Sequence, residues 1–254
     1  MVKIFVVTHK ESPLLQNDLF IPIQVGTNPT ISDNILKDNT LDNIASKNPN
    51  FCELTATYWI WKNYTEAEYV GICHYRRYFN FYNPFYNLKP SKQKKITGEE
   101  FKNTKLFKTN PKKTTKKIAS ILQEYDVIVG IPYKLKKYTL GFDYCRDHRK
   151  EDWDETKKII LEKFPEYEES IDIHLENGKL FHIGNMMLCS KKLFDEYHTW
   201  IFSILFELEK RITIPTDQYQ ARVFGFISER LINMYIYHNK LKIKSVPIYK
   251  ITDV

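Results

Sequence analysis

The sequence predicts an α/β fold in which a mixed, mostly parallel central sheet is flanked by helices. Short apolar runs of strand length alternate with longer amphipathic segments along most of the 254 residues, a pattern typical of βαβ units. Hydrophobic residues make up 43% of the chain and charged residues 27%, which is the balance of a protein that buries a full core. We therefore expect one domain over residues 1–254.

The predicted elements of the N-terminal part begin with a buried strand. Residues 2–7 form a continuous apolar, β-branched run that ends at a polar, cationic tip. Asn50 and Glu53 have the spacing of a helix N-cap residue and its partner, which predicts a helix that continues to Lys62. Two further strands are predicted, at 21–25 and 68–73.

A lysine-rich segment follows at residues 89–117, with 11 Lys and two Glu and with little apolar periodicity. We expect a mobile excursion from the sheet, in which Thr97 and Glu100 cap a short helix. Such a polybasic segment favours contact with an anionic membrane surface. A solvated loop without a partner is the alternative.

Alternation of strands and helices resumes after this segment. Gly184 and Asn185 interrupt an apolar run, either as a β-bulge without function or to allow close approach of a ligand to the backbone. The predicted helices are at 115–124, 154–163, 191–210 and 216–237, and the predicted strands are at 127–131, 180–189 and 243–249.

The charge and the cysteines of the chain indicate its partners and its cellular compartment. The 38 Lys and Arg against 31 Asp and Glu give a formal charge of +7, which favours polyanionic partners: nucleic acid, anionic lipid or phosphate-bearing substrates. The four cysteines form no C-x-x-C pair and are expected to be free thiols in a reducing compartment. The apolar runs are too short for a signal peptide or a membrane span. We expect a cytoplasmic protein that contacts the inner face of the membrane peripherally.

Several common motifs are absent from the sequence. There is no G-x-G-x-x-G and no P-loop, which gives a dinucleotide fold or a P-loop nucleotidase no support. There is also no G-x-S-x-G of a serine hydrolase and no metal-binding spacing among the seven histidines.

Two predicted strand ends carry cations and are candidates for binding phosphate groups. Ligands gather at the carboxyl ends of strands in open α/β sheets, and guanidinium groups match a diphosphate in geometry and charge. A pair of surface arginines bridged to acidic residues is the alternative. The candidate phosphate-binding residues are Thr8, His9, Lys10, His74, Tyr75, Arg76 and Arg77.

Other polar and aromatic residues are candidates for binding ribose, sugar or acceptor groups. Asp42 and Asn43 suit hydroxyl groups and Lys47 suits a phosphate, although a turn-rich loop that caps a helix would have a similar composition. Trp59 lies off the buried face of its predicted helix and is available to stack on a base or a sugar. The remaining candidates for binding sugar or acceptor are Asp147, His148, Asn185 and Arg222.

A carboxylate near the C-terminus is the candidate general base. Glu229 is the first choice because it follows a flexible Gly225 and is flanked by Arg230, which helps to keep it ionised. Asp217 is the second choice, because it lies near the predicted start of a helix. For Glu229 the alternative is an ion pair with Arg222 or Arg230 within the helix.

Three strings of residues are distinctive: ELTATYWIWKN at 53–63, GICHYRRYF at 71–79 and GFISERL at 225–231. They resemble a family of uncharacterised domains whose members are assigned as glycosyltransferases of capsular or exopolysaccharide biosynthesis. The resemblance extends over nearly the whole chain, from Thr8 to Tyr235, and the first two strings are long and rich in rare residues.

The resemblance implies a GT-A-like fold and a nucleotide-sugar donor, with UDP as the favoured nucleotide. It implies an undecaprenyl-diphosphate-linked or oligosaccharide acceptor, and some relatives use galactofuranose donors. Many nucleotide-sugar transferases carry Asp-x-Asp at the strand exit to hold Mn²⁺ or Mg²⁺, but residues 73–77 offer no carboxylate here. We therefore expect fixed cations to replace the metal and predict no cofactor; Mn²⁺ or Mg²⁺ held by Asp residues from elsewhere in the chain is the alternative that is not favoured.

Two other classes of function stay open. A basic, aromatic-rich chain can bind single-stranded nucleic acid, although the lysines concentrate in one segment and no nucleic-acid motif is present, so this partner is not favoured. A regulatory protein that binds a sugar nucleotide without turning it over is the second alternative.

Overall fold

Twelve strands are present in residues 1–82 and 92–254, which the computed structural model describes, and ten of them form one sheet. The other two, β8 and β9, pair as a separate antiparallel ribbon. The strands in chain order are β1 Val2–Thr8, β2 Phe20–Gln24, β3 Leu36–Lys37, β4 Tyr69–His74, β5 Arg77–Phe79, β6 Gln93–Ile96, β7 Val127–Gly130, β8 Tyr133–Lys134, β9 Leu180–Phe181, β10 Met187–Ser190, β11 Ile243–Val246 and β12 Ile248–Ile251.

The main row of the sheet has the order β11-β7-β10-β4-β1-β2-β3. Neighbouring strands in this row are parallel except β10, which runs antiparallel to both β4 and β7. A side branch joins β12 to β5 in antiparallel and to β6 in parallel orientation, and β5 connects to β4. The predicted fold class, a mixed and mostly parallel sheet flanked by helices, is confirmed.

Helices cover both faces of this sheet. Alternate residues of β1 belong to different cores: Phe5 and Val7 join one cluster, and Ile4 and Val6 join the other. The α-helices of the described residues are α1 Asn48–Phe51, α2 Leu54–Asn63, α3 Gly98–Lys102, α4 Lys105–Lys108, α5 Pro111–Glu124, α6 Leu140–Asp147, α7 Lys150–Lys163, α8 Glu168–Ser170, α9 Lys191–Arg211 and α10 Val223–His238. Within the same residues, none of them combines the length and the apolar character that crossing a bilayer requires.

The predicted N-cap at Asn50 is wrong. Cys52 has φ +53° and ψ −130°, a conformation that interrupts the helix, so α1 ends before it and α2 starts after it. The Asn50 side chain donates instead to the carbonyl of Ala221 at 2.9 Å. Glu53 directs its carboxylate to Asn185 at 2.7 Å and does not cap the helix.

The lysine-rich segment differs from the predicted irregular excursion. Residues 93–117 contain β6, α3, α4 and the start of α5, and Phe101 and Leu106 are fully buried in the second core. The predicted cap is confirmed, because Thr97 Oγ1 accepts from the Glu100 N–H and the Thr97 N–H donates to the Glu100 carboxylate. Apolar residues are spread thinly over several short elements, so no single window shows periodicity. Residues 89–91 lie outside the described part of the chain.

Other boundaries follow the sequence with local differences. The predicted strand 180–189 is two strands, β9 and β10, separated by Gly184 and Asn185 as expected. The predicted helix 216–237 starts as α10 only at Val223, after an irregular approach. Pro247, which has no N–H to donate, separates β11 from β12.

Candidate active site

A cavity of about 800 Å³ lies at the edge of the sheet where the parallel strands β1, β2 and β4 end. Its volume is within the range of small-molecule binding sites. Gly184 reaches this edge because β10, which follows it, runs antiparallel to β4. The other lining residues are Val7, His9, Val25, Asn48, Pro49, Cys52, Glu53, His74, Tyr75, Arg76, Arg77, Gln218, Tyr219, Ala221, Arg222, Phe226 and Glu229.

Cations surround the buried ring of Tyr75 on one side of the cavity. The imidazole of His9 packs edge-on against this ring, with 5.1 Å between the centroids. Lys10 Nζ and Arg76 Cζ lie 5.5 and 5.7 Å from the ring centroid. Burial, together with the charges of Lys10, Arg76 and Arg222, lowers the pKa of His9. Two cationic side chains, those of Lys10 and Arg76, and the imidazole of His9 thus meet at the ring of Tyr75 at the ends of β1 and β4.

Two further arginines line the cavity. The Nε of Arg77 is buried and has no hydrogen-bond partner within the described residues, and burial together with the charge of Arg76 lowers the pKa of this guanidinium. Arg222 is exposed, and its Nε donates to Cys52 Sγ at 3.2 Å. Guanidinium groups with free donors can bind an anion that enters the cavity.

His74 lines the cavity but is neutral. Its Nε2 donates to the carbonyl of Gly184, which requires the proton to be on that nitrogen. Burial and the positive charge of Arg77 lower the pKa of His74 to about 4. His74 is therefore an uncharged residue that fixes the chain at Gly184, whereas the sequence predicted a cationic partner for phosphate.

Two carboxylates, Glu53 and Glu229, also line the cavity. The Gly184 N–H donates to one oxygen of Glu229 at 2.7 Å, and Arg230 Nη1 lies 3.6 Å from the other oxygen. The side-chain amide of Asn185 donates to one oxygen of Glu53 at 2.7 Å. Burial raises the pKa of both carboxyl groups, so each is a stronger base than a solvated glutamate.

The turn at Gly184 and Asn185 organises these groups. The φ angles of the two residues are +84° and +49°, a left-handed conformation that Gly adopts freely and that Asn tolerates. Gly184 contacts Glu229 with its N–H and His74 with its carbonyl, and Asn185 contacts Glu53. One two-residue turn therefore holds both carboxylates.

Residues 3–240 match the model of a domain of unknown function, DUF4422. The chain belongs to this family. A comparison with curated proteins finds no match.

The chain is also similar to a solved structure, the apo form of the WbbM bifunctional glycosyltransferase. The sequences are 29% identical, and the structures superpose with a TM-score of 0.87 over 99% of this chain. The match spans 45% of the WbbM chain, so this protein corresponds to less than half of that enzyme.

The fold brings seven of the predicted site residues together in the cavity. This part of the prediction depended on strand ends meeting at one edge of the sheet. Six of the seven residues lie in or directly after β1 or β4, or in α10 and the turn before it. These residues are His9, His74, Tyr75, Arg76, Arg77, Arg222 and Glu229. Lys10 lies beside them through its contact with the ring of Tyr75.

Four other predicted site residues do not line the cavity, because their side chains contact other parts of the protein. The Lys47 ammonium pairs with Glu209 of α9 at 2.6 Å. The indole N–H of Trp59 donates to the carbonyl of Thr40, and the ring is 6% exposed, so it cannot stack on a ligand. Asp42 accepts from the hydroxyl of Tyr58 and Asn43 donates to the Leu41 carbonyl.

Thr8 and Asp147 are also outside the cavity lining. The buried hydroxyl of Thr8 donates to the Lys10 carbonyl at 2.6 Å and so closes the turn after β1. Asp147 is exposed and pairs with the neighbouring Arg146. Both side chains organise local structure.

His148 and Asn185 contact residues of the cavity lining, whereas Asp217 lies in the turn before α10. The His148 ring stacks on Phe226, a lining residue, at 4.1 Å between centroids. Asn185 is 6% exposed and supports Glu53 from behind. Asp217 is exposed, and its carboxylate accepts from the Gln220 N–H at 2.8 Å, which stabilises the turn before α10.

Among the cavity residues that the sequence interpretation missed, Glu53 is the one with a carboxylate. Its spacing from Asn50 suggested a helix cap, so the only carboxylate of the string 53–63 was not considered for the site. The adjacent Cys52, which also lines the cavity, was interpreted only as a free thiol; burial raises its pKa to about 11.

In 1–82 and 92–254, no group of three or more His, Cys, Asp or Glu side chains is arranged to hold a metal ion. Independence of the reaction from a metal stays a prediction.

Proposed function

We propose that this chain is a glycosyltransferase that transfers a hexose from a UDP-sugar to a hydroxyl group of an acceptor. The observation that carries the proposal is one cavity in which Arg76, Arg77 and Arg222 share the lining with Glu53 and Glu229. Such a site offers cations for a diphosphate leaving group and a carboxylate for the acceptor proton. The identity of 29% along 99% of the chain to a glycosyltransferase supports the same class.

The arginines would bind the diphosphate of the donor. Leaving of UDP requires stabilisation of the negative charge that develops when the glycosidic bond breaks, by a metal or by fixed cations. The unpartnered Nε of Arg77 and the exposed head of Arg222 are donors available for this purpose. In the proposed GT-A-like site, arginines thus supply the positive charge that Mn²⁺ or Mg²⁺ supplies in many nucleotide-sugar transferases.

We extend the proposal to a lipid-linked acceptor. A second cavity of about 460 Å³ is lined by Tyr82, Thr109, Asn110 and four lysines: Lys105, Lys108, Lys113 and Lys117. None of these lysines has an ion pair within the described residues, and residues 83–91 contain no Asp or Glu. This surface would attract phosphate-bearing lipids such as undecaprenyl diphosphate at the inner face of the membrane. The pathway we favour is surface polysaccharide synthesis.

The proposal is tested by turnover. Purified protein is first screened by thermal shift with UDP-, GDP-, CMP- and dTDP-sugars, with UDP-galactofuranose among the donors. UDP release is then measured with and without an oligosaccharide or lipid-diphosphate acceptor. Acceptor-dependent release of UDP is the expected result.

Three other results would overturn the proposal. Binding of a sugar nucleotide without turnover with any acceptor would indicate a regulatory binder. Salt-sensitive binding of oligonucleotides without sugar-nucleotide binding would indicate a nucleic-acid partner. Stabilisation by a GDP- or CMP-sugar alone would contradict the choice of UDP.

A further inference from the structure

The two carboxylates of the cavity differ in how many of their oxygens are free. Both oxygens of Glu229 face fixed donors, the Gly184 N–H at 2.7 Å and Arg230 Nη1 at 3.6 Å. One oxygen of Glu53, Oε1, accepts from Asn185 at 2.7 Å. Within residues 1–82 and 92–254, Oε2 of Glu53 has no hydrogen bond or ion pair with another residue, although Glu53 lines the cavity.

The backbone on both sides of this contact is held in an uncommon conformation. Cys52 has φ +53°, which ends α1 and directs Glu53 out of the helical path into the cavity. Asn185 has φ +49°, is 6% exposed, and its amide also lies 3.3 Å from the Gly225 carbonyl. Non-glycine residues with positive φ cost free energy and persist where the surrounding structure fixes them. The pair is therefore built by the fold and is not a chance surface contact.

We propose that Glu53 is the general base of the transfer and that Asn185 is its positioning residue, an assignment that rests on the proposed function. Oε2 of Glu53 takes the proton of the acceptor hydroxyl as the acceptor oxygen forms its bond to the anomeric carbon. The bond from that carbon to the phosphate oxygen breaks, and its electron pair leaves with UDP. The product has the inverted anomeric configuration, because the displacement is direct.

Several charged or titratable groups surround Glu53 and set when it accepts the proton. Burial opposes the ionised form of Glu53, and the hydrogen bond from Asn185 and the charges of Arg222 and Arg77 favour it. Glu229 of α10 repels it, and Cys52 and Tyr197 of α9 are neutral neighbours whose pKa it raises. Because a bound diphosphate neutralises the arginines, donor binding makes Glu53 a stronger base. The base is thus activated in the complex that reacts.

The direct test is Glu53→Gln. The glutamine keeps an oxygen that can accept from Asn185, so the fold and the cavity are preserved. We expect kcat to fall by about 100-fold or more, the usual contribution of a general base, while UDP affinity by calorimetry changes little. Near-normal kcat in a folded Glu53→Gln protein would overturn the proposal.

Glu229→Gln is the matched variant. Its glutamine oxygen still accepts from the Gly184 N–H, so the turn is retained and we expect a loss of kcat below about tenfold. A large loss in Glu229→Gln together with a small loss in Glu53→Gln would assign the base to Glu229, as the sequence suggested. Retention of the anomeric configuration in the product, measured by NMR, would also overturn the proposed displacement.

Asn185→Gly tests the positioning role, because glycine adopts the required φ without strain. Loss of the amide donor raises the pKa of Glu53, so the ascending limb of the pH profile of kcat moves to higher pH. In the wild type, this limb should also lie at higher pH for kcat than for kcat/KM of the donor. An unmoved pH profile in Asn185→Gly would show a merely structural role.

The proposed function and the assignment of Glu53 as the general base can be contradicted by different results. If the wild-type protein releases no UDP with any acceptor, the proposed function is wrong and no variant needs to be compared. If the wild type turns over and Glu53→Gln does so equally, the function stands and the assignment of Glu53 falls.

Discussion

The carbonyl of Gly184 accepts a hydrogen bond from Nε2 of His74, although the two residues are 110 positions apart in the chain. This bond joins the end of β4 to the turn that precedes β10. Since the same turn holds Glu229 and Glu53, the neutral state of His74 underlies the geometry of the cavity.

Stability should therefore fall in acid through His74. Its folded-state pKa of about 4 lies below the ordinary value of 6.5, so the unfolded chain binds a proton that the folded chain excludes in this window. Stability is retained above about pH 6.5 and is lost as the pH falls toward about 4, by about 3 kcal/mol from this group. Urea unfolding of wild type and His74→Gln across this range measures the effect.

His74→Gln should show a flatter profile, because glutamine does not titrate. His198, which is also buried with a lowered pKa, contributes equally to both proteins and cancels in the comparison. Parallel profiles would contradict the prediction.

The arginines of the cavity should determine affinity for the donor. Replacing Arg76, Arg77 or Arg222 by Ala should weaken UDP-sugar binding by about 1.5–3 kcal/mol each, as expected for lost charge-assisted bonds. Isothermal titration calorimetry is the measurement. Arg211→Ala is the control, since Arg211 pairs with Glu155, Glu162 and Glu207 away from the cavity.

Unchanged affinity in both Arg76→Ala and Arg77→Ala would remove the strand exit from the donor site. An equal loss in Arg211→Ala would indicate a general effect of net charge.

Activity should survive chelation of divalent metals. The arginines would supply the positive charge that Mn²⁺ or Mg²⁺ supplies elsewhere, so EDTA should leave UDP release nearly unchanged. The assay compares untreated, EDTA-treated and Mn²⁺-supplemented protein at constant ionic strength. Loss of turnover with EDTA and recovery with Mn²⁺ or Mg²⁺ would show that the site requires a metal.

The lysine-lined cavity should bind anionic membranes. Changing Lys105, Lys108, Lys113 and Lys117 to Gln should reduce flotation with anionic vesicles, since each cation near such a surface contributes on the order of 1 kcal/mol. Neutral vesicles test whether charge is the cause. The matched control changes four exposed lysines elsewhere in the chain, namely Lys158, Lys163, Lys179 and Lys192. Equal flotation of both quadruple variants would exclude this surface as the contact.

Much of the fold could be predicted from the sequence because apolar runs and strand ends are local signals. The run before Thr8 and the run before His74 are buried on both faces, and such strands are typical of the centre of a parallel sheet. The convergence of His9, Arg76 and Arg77 followed from the same rule, since the carboxyl ends of parallel strands share one edge.

Predictions from the local sequence were wrong where a side chain could contact either a ligand or a distant part of the protein. Trp59 was predicted to stack on a ligand, but its N–H donates to Thr40 and its ring joins the core. Lys47 was predicted to bind phosphate, but Glu209, 162 positions later, pairs with it first. Nothing in the adjacent sequence identifies such partners, because the choice depends on which elements pack together.

The sequence by itself determined the longer strands of the sheet, the helices between them and the cationic strand ends, since hydrophobic periodicity and backbone direction are properties of neighbouring residues. Only the tertiary structure decided which carboxylate has an oxygen without a contact to another residue in the cavity. Glu53 and Asn185 are 132 positions apart, and they meet because Cys52 interrupts a helix while Gly184 and Asn185 turn the chain before β10. A contact of this range is fixed by the packing of the whole sheet, and no spacing in the sequence encodes it.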